Sequence, residues 1–378
     1  MRIRLLLFLL IIWRILLFIY LILGKKFIPQ FTLTFLHPEL VINRAPDWLW
    51  PWANFDGAHY INIALNGYQN IYSPAFFPLY PLLIRAVNYL FSNPIISGLV
   101  ISHICLFIAL LLLIKLCNIL KLSAHAIQSL LIVYLLFPVS YYLGSVYTES
   151  LFLMLSIATF YFGYQKRWFF AGIAGGLASI ARVNGVILFP SLVILWWIQN
   201  RSDLNIKTIL QSKIWWLILI LAGLIGYMLY LQINFNDPIY FIHAHQFFGE
   251  QRQLGFIFLP QIIWRYLKMF NSIGILTPTF YALSLEFVVG ILFFILSIWV
   301  WMKLGPVLGF YTLVNYLIPT FTGSFWSMPR IVLLLFPAFI VLTQLFQNYK
   351  KIKWIYFIIS PILLAISTVF FTRGLWIA

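Results

Sequence analysis

The chain has 378 residues, 63% of them hydrophobic and only 8% charged, with a mean hydropathy of +0.98. That composition excludes an ordinary soluble domain and predicts a polytopic helical membrane protein. The net charge of +16 would suggest a nucleic-acid partner in a soluble chain. Here it predicts basic loops beside anionic membrane lipids, arginines for an anionic ligand, and no nucleic acid.

The N-terminal run MRIRLLLFLL has a basic start, and GKKF rather than a small-residue cleavage site ends the apolar stretch. An uncleaved signal anchor is expected. Continuous runs such as LLLFLLIIWRILLFIYLIL at 5–23 argue against a β-barrel, which would show short alternating segments. Predicted spans are 5–23, 95–117, 126–145, 150–165, 168–182, 186–199, 214–233, 281–302, 305–321, 331–347 and 354–371. This makes about eleven helices by the length a bilayer requires, several of them short enough to tilt, break or re-enter. Segments 76–91 and 256–272 are expected to lie at the membrane surface. Cys105 and Cys117 fall on one predicted helix, about 18 Å apart by helical rise, too far to pair.

Charges orient the layout. With the N-terminus inside, short inner loops hold residues such as Arg2, Lys115, Lys166, Arg167, Lys207 and Lys350, as the positive-inside rule expects. Among the acids only Asp203 falls inside; Glu39, Asp47, Asp56, Glu149, Asp237 and Glu250 fall outside, and Glu286 lies near an outer helix end. Two outer loops, about 24–75 and 234–260, belong to one integral domain spanning 1–378. The sequon Asn200-Arg201-Ser202 falls inside and is expected to stay unmodified.

The first outer loop contains FDGAHYINIALNGY. If a helix begins near Asp56, positions 56, 59, 60 and 63 share one face, so Asp56, His59 and Tyr60 point together and Ile63 anchors them. Asp56 reads either as an N-cap or as a general base tuned by partial burial. Trp48, Trp50 and Trp52 read as an interfacial belt, with stacking on a sugar or lipid as the less favoured alternative. AFFPLYPLLIR reads as a structural corner made by Pro78 and Pro81. In FPVSYYLGSVYTESLF, Glu149 is a first-turn acid complementing a helix dipole or a functional carboxylate at membrane depth. Arg182 with Asn184 and Gly185 forms a polar hairpin. It is a snorkelling loop or a phosphate clamp, since a guanidinium presents a fork to phosphate oxygens.

His243 and His245, with Glu250, have no third ligand at metal spacing and read as a polar loop. In SFWSMPRIVLLLFP, Arg330 stands at a helix start, where a cation opposes the dipole; a bound anion accounts for it. Arg14, inside the first span, reads as snorkelled or bundle-facing.

Taken together, WANFDGAHYINIALNGY, FFPLYP, FPVSYYLGSVYTESLF and the run ending ARVNG resemble the PIG-V-like mannosyltransferases of the GT-C superfamily. The resemblance covers about residues 50–190 in order, and SMPRIVLLLFP resembles the family's late Arg-Pro region more weakly. Where the family usually has Trp before the aspartate, this chain has Phe55.

The resemblance implies an all-α GT-C-type bundle with a large first extracytoplasmic loop. It implies a transferase that uses a polyprenyl-phosphate-linked sugar, commonly mannose, at the non-cytoplasmic face. The membrane would be the plasma membrane in a prokaryote or the endoplasmic reticulum in a eukaryote. Asp56 matches the family's first-loop aspartate, the expected base, and Glu149, Arg182 and Asn184 match later motif positions.

The expected reaction is inverting transfer to a lipid-linked or glycan acceptor, with His59, Tyr60, Glu149, Arg182, Asn184 and Arg330 binding substrate. No cofactor is required by this reading. A divalent metal is compatible with it, but no ligand set stands out. The alternatives are a transporter or flippase of a lipid-linked or anionic substrate, with polar groups near the midplane, and a non-catalytic partner of a glycosylation complex. The crowding of polar groups on one face favours the enzyme.

Overall fold

A computed structural model describes residues 3–30, 45–202, 212–248 and 257–377. Arg2, Glu39, Arg44, Asp203, Lys207, Glu250 and Arg252 lie outside the described residues, as does the side chain of His245. The regular structure among the described residues is helical. The longer helices are α1 (Ile3–Phe27), α2 (Asp56–Asn66), α3 (Leu79–Phe91), α4 (Pro94–Ile119), α5 (Ala124–Leu135), α6 (Glu149–Tyr164) and α7 (Trp168–Ala181). They continue with α8 (Leu188–Asn200), α9 (Ile218–Phe235), α10 (Leu259–Ser272), α11 (Pro278–Leu304), α12 (Pro306–Thr320), α13 (Phe336–Asn348) and α14 (Lys350–Thr372). The chain is thus an all-α polytopic membrane protein. Among the described residues 6 spans are long and apolar enough to cross a bilayer, or up to 7 if a pair bent by 89° counts as one. The about eleven spans expected from apolar runs include shorter helices, such as α5, α6 and α7, that this length rule leaves out.

Two predicted spans depart from a continuous helix. The span expected at 126–145 stops being α-helical after Leu135, because Pro138 follows and cannot donate to a helical ladder. A 3₁₀ turn, Ser140–Gly144, succeeds it and is wholly buried. Irregular backbone at membrane depth survives only where protein satisfies it. Here Ser140 Oγ donates to Leu135 O at 2.6 Å, Ser150 Oγ to Leu143 O at 2.6 Å, and Trp13 Nε1 to Ser140 Oγ at 3.1 Å. The span expected at 331–347 instead begins with one turn, Met328–Ile331, and bends by 89° before α13. Pro337 sits in the first turn of α13, where a missing N–H is harmless.

These breaks gather at one end of the bundle. α1, α7 and α14 finish there and α6 begins there, while Lys166 and Arg167 mark the opposite end of the α6–α7 hairpin. The first loop is tied to the broken segment by Val146 N–H donating to Trp52 O at 2.9 Å and Tyr147 O–H donating to Asn54 O at 2.7 Å. Asn54 Nδ2 donates in turn to Phe371 O at the end of α14, at 2.8 Å. Arg14 faces the bundle, over Trp52 at 4.1 Å, and donates to Gly144 O. Helices α7 and α9 cross so closely that a Cβ on Gly223 would lie 2.3 Å from Gly176 O. Small residues permit such a crossing in lipid.

Candidate active site

Asp56 opens α2, but it does not cap it. Phe55 occupies the N-cap position, with φ of 58° and no side-chain capping bond. A left-handed non-glycine residue is strained, and such strain concentrates at functional sites. The Phe55 ring is held edge-on to Trp376, 4.9 Å between centroids, and against Phe371. That backbone turn leaves the Asp56 carboxylate free to point away from its own helix. Its Oδ2 accepts from Arg330 Nη1 at 2.5 Å, across 274 residues.

Glu149 opens α6, with Thr148 before it making no side-chain cap. Its position suits the helix dipole, but its carboxylate, 1% exposed, is engaged elsewhere. Oε1 accepts from Arg182 Nη1 at 2.8 Å and lies 3.3 Å from Arg330 Nε. Arg182 Nη1 also donates to Thr148 Oγ1 at 3.1 Å, and Tyr60 Oη shares a hydrogen bond with that same hydroxyl at 3.4 Å. Two carboxylates and two guanidiniums therefore form one chain, Asp56–Arg330–Glu149–Arg182, with a balanced formal charge. Buried ions persist when paired in this way. Rings of Tyr142, Tyr147 and Trp376 surround the Arg330 guanidinium at 5.5–5.6 Å.

Arg182 follows α7 in extended conformation, φ −158°. The turn after it packs onto its own helix so tightly that a Cβ on Gly185 would meet Ala178 C at 2.4 Å. Gly185 thus lets the chain fold back and present Arg182 and Asn184 on the same side.

A cavity of about 280 Å³ opens onto this network, lined by Asp56, Tyr60, Arg182, Asn184, Ser327, Arg330 and Trp376 among others. Glu149 does not line it and stands behind the two arginines. His59 is also outside the lining; it stacks on Phe76 at 4.8 Å and meets Tyr72 edge-on. Burial first, and then the nearby Asp56 charge, push the Tyr60 phenol well above its ordinary pKa, so it is a neutral hydroxyl at pH 7. Among the described residues no group of three or more His, Cys, Asp or Glu is placed to hold a metal. His243 pairs with Asp237 at 2.6 Å instead.

A second, apolar groove of about 450 Å³ runs beside the first cavity, lined by Ile63, Ala64, Tyr68, Ile180, Gly226 and Tyr227 among others. The two are neighbours along three stretches of chain. Tyr60 faces one and Ile63 the other; Arg182 one and Ile180 the other; Phe77 one and Pro78 the other. The proline corner that reads as merely structural in sequence therefore separates a polar chamber from an apolar one. Thr148, Ser327 and Trp376 are site residues that sequence reading misses. The polar run YTES hints at Thr148, whereas no local signal marks Trp376.

No curated protein and no solved structure matches the chain. The family model described as Mannosyltransferase (PIG-V) matches residues 1–235, which contain Asp56, Tyr60, Glu149, Arg182 and Asn184. The chain belongs to the PIG-V mannosyltransferase family and is a multi-pass membrane glycosyltransferase.

Proposed function

We propose that the protein transfers mannose, with inversion, from a polyprenyl-phosphate sugar to a hydroxyl of a lipid-linked or glycan acceptor at the non-cytoplasmic membrane face. The observation that carries this reading is the adjacency of a polar, arginine-bearing chamber and an apolar groove. Such a pair suits an amphiphile whose phosphate sits at the arginines and whose prenyl chain lies along the groove. The acids described at that end of the bundle, Asp47, Asp56, Glu149 and Asp237, opposite Lys166 and Arg167, support an outer-face site.

Asp56 is the carboxylate that lines the chamber, while Glu149 is withheld behind the arginines. One available carboxylate among the described residues suits single displacement, with a base and no covalent sugar intermediate. Arg330 pairs with that base. Arg330 carries five N–H donors, so an arriving phosphate draws the guanidinium toward itself and loosens its hold on Asp56. Asp56 then accepts the proton of the acceptor hydroxyl, whose oxygen bonds to the anomeric carbon. The bond from that carbon to the phosphate oxygen breaks, and the electron pair leaves with polyprenyl phosphate, stabilised by Arg330 and Arg182. Glu149 orients both arginines, Asn184 and Tyr60 offer neutral hydrogen bonds to sugar hydroxyls, and His59 supports the wall through Phe76.

The test is mannose transfer in proteoliposomes supplied with polyprenyl-phosphate mannose and a mixed acceptor lipid extract. Asp56→Asn, at matched folded amount, is expected to lower transfer by about 10²–10⁴. Equal transfer by wild type and variant would remove Asp56 from the chemistry.

A further inference from the structure

Glu286 takes no part in the steps above, yet its carboxyl is buried, 4% exposed, within α11. A carboxyl at membrane depth is costly and calls for specific partners. Its Oε2 accepts the Tyr266 O–H at 2.5 Å, and the carboxyl faces the backbone N–H of Ser327. Tyr266 Oη in turn accepts the Phe325 N–H at 3.2 Å. One helical turn after Glu286, on the same face, Gly290 leaves room for the Phe325 ring: a Cβ there would lie 2.8 Å from it. Glu286, Gly290 and Tyr266 together form a seat for residues 325–327.

That seat lies directly before Arg330. Ser327 lines the polar chamber and adopts a left-handed φ of 60°. Its carbonyl accepts the N–H of Arg330 at 3.1 Å and of Ile331 at 3.0 Å. A displacement of Ser327 is therefore passed by backbone hydrogen bonds to Arg330. An apolar pair could fill the same space. What the carboxyl adds is a directed acceptor for the Tyr266 hydroxyl, which itself accepts the Phe325 N–H.

We propose that Glu286 and Tyr266 are positioning residues for sugar transfer, which hold Ser327 in its left-handed turn and thereby place the Arg330 guanidinium against Asp56 and the donor phosphate. The proposal rests on the reading of Arg330 as a phosphate ligand. It assigns a role to α10, which carries Tyr266 into contact with α11 from outside the region that the family model matches.

The experiment measures transfer by Tyr266→Phe and Glu286→Gln, each alone and combined with Arg330→Lys, in proteoliposomes at matched folded amount. Each single change is expected to raise the donor KM about tenfold, with less change in kcat. In the Arg330→Lys background each is expected to add less than about twofold, because residues that act through one group are not additive. Equal losses in both backgrounds, or an unchanged donor KM, would overturn the proposal while leaving wild-type transfer, and so the proposed function, standing. Direct binding of polyprenyl phosphate to the purified protein supplies a readout that needs no acceptor. About tenfold weaker binding by both single variants is expected, and unchanged binding overturns the positioning role.

Discussion

Residues 1–235, which the family model matches, and residues 257–377, which it does not reach, contribute different things to one site. The first region brings Asp56, Glu149 and Arg182; the second brings Arg330, Ser327 and Trp376. Taken alone, the first region's two carboxylates and one guanidinium leave one negative charge, and a phosphate would be repelled. Arg330 cancels that charge and bridges both acids. The comparison teaches that the motif residues carry a net negative charge until the far end of the chain folds over them.

The sharpest way to break that comparison is Arg330→Ala. It strips both carboxylates of a shared partner, and one of them is almost wholly buried. Transfer is expected to fall by about 10²–10³, as when a preorganised donor is removed from a transition state. Unfolding in detergent is expected to become easier, by less than the about 3–5 kcal/mol that an unpaired buried charge costs, because Glu149 keeps Arg182 while the partly exposed Asp56 loses its partner. Normal transfer with normal thermal stability would mean that the first region suffices by itself.

A smaller effect sharpens the role of the apolar groove, whose named walls come from residues before 235. Gly226 lines it, and a Cβ there would meet nothing within 4 Å. Gly226→Leu should therefore enter the groove without disturbing α9, and helix propensity should rise slightly. The expected result is a donor KM raised about tenfold for a long prenyl chain and little changed for a short one. Equal effects on both chain lengths would dissociate the groove from the prenyl tail.

The smallest expected effect lies at Lys25–Asp47, a 2.7 Å pair whose side chains are more than half exposed. Hydrogen bonding to Lys25 holds the Asp47 carboxyl below its ordinary pKa of 3.8. A depressed carboxyl contributes stability above its unfolded pKa and loses it as pH falls through the folded value. Here solvent screening keeps the contribution below about 1 kcal/mol. Lys25→Ala should leave transfer unchanged and shift acid unfolding only slightly. A large loss of transfer would show that a solvated pair in the first loop matters as much as the buried network.

Much of the fold could be read from sequence, because lipid imposes length and apolarity on any helix that crosses it. Runs such as 5–23 and 354–371 appear as α1 and α14, and the expected surface segments 76–91 and 256–272 as α3 and α10. Two expected spans are broken beside Pro138 and Pro337, which hydropathy does not foresee, because it registers transfer from water and is insensitive to where a proline lets a helix start or stop. The chemistry of the site was legible as residue types: an acid among aromatics, and an arginine, Arg330, placed where a helix dipole opposes it. What each side chain does was decided by tertiary structure. Asp56 could have capped its helix, and the left-handed turn at Phe55 together with Arg330, 274 residues away, gives its carboxylate another partner. His59 shares a helix with Asp56 but packs on Phe76, outside the chamber. Trp376 and Ser327 reach the chamber only through chain reversal at the ends of α14 and α12. A sequence determines which groups are too costly to bury alone; only the folded chain determines which partner each one meets.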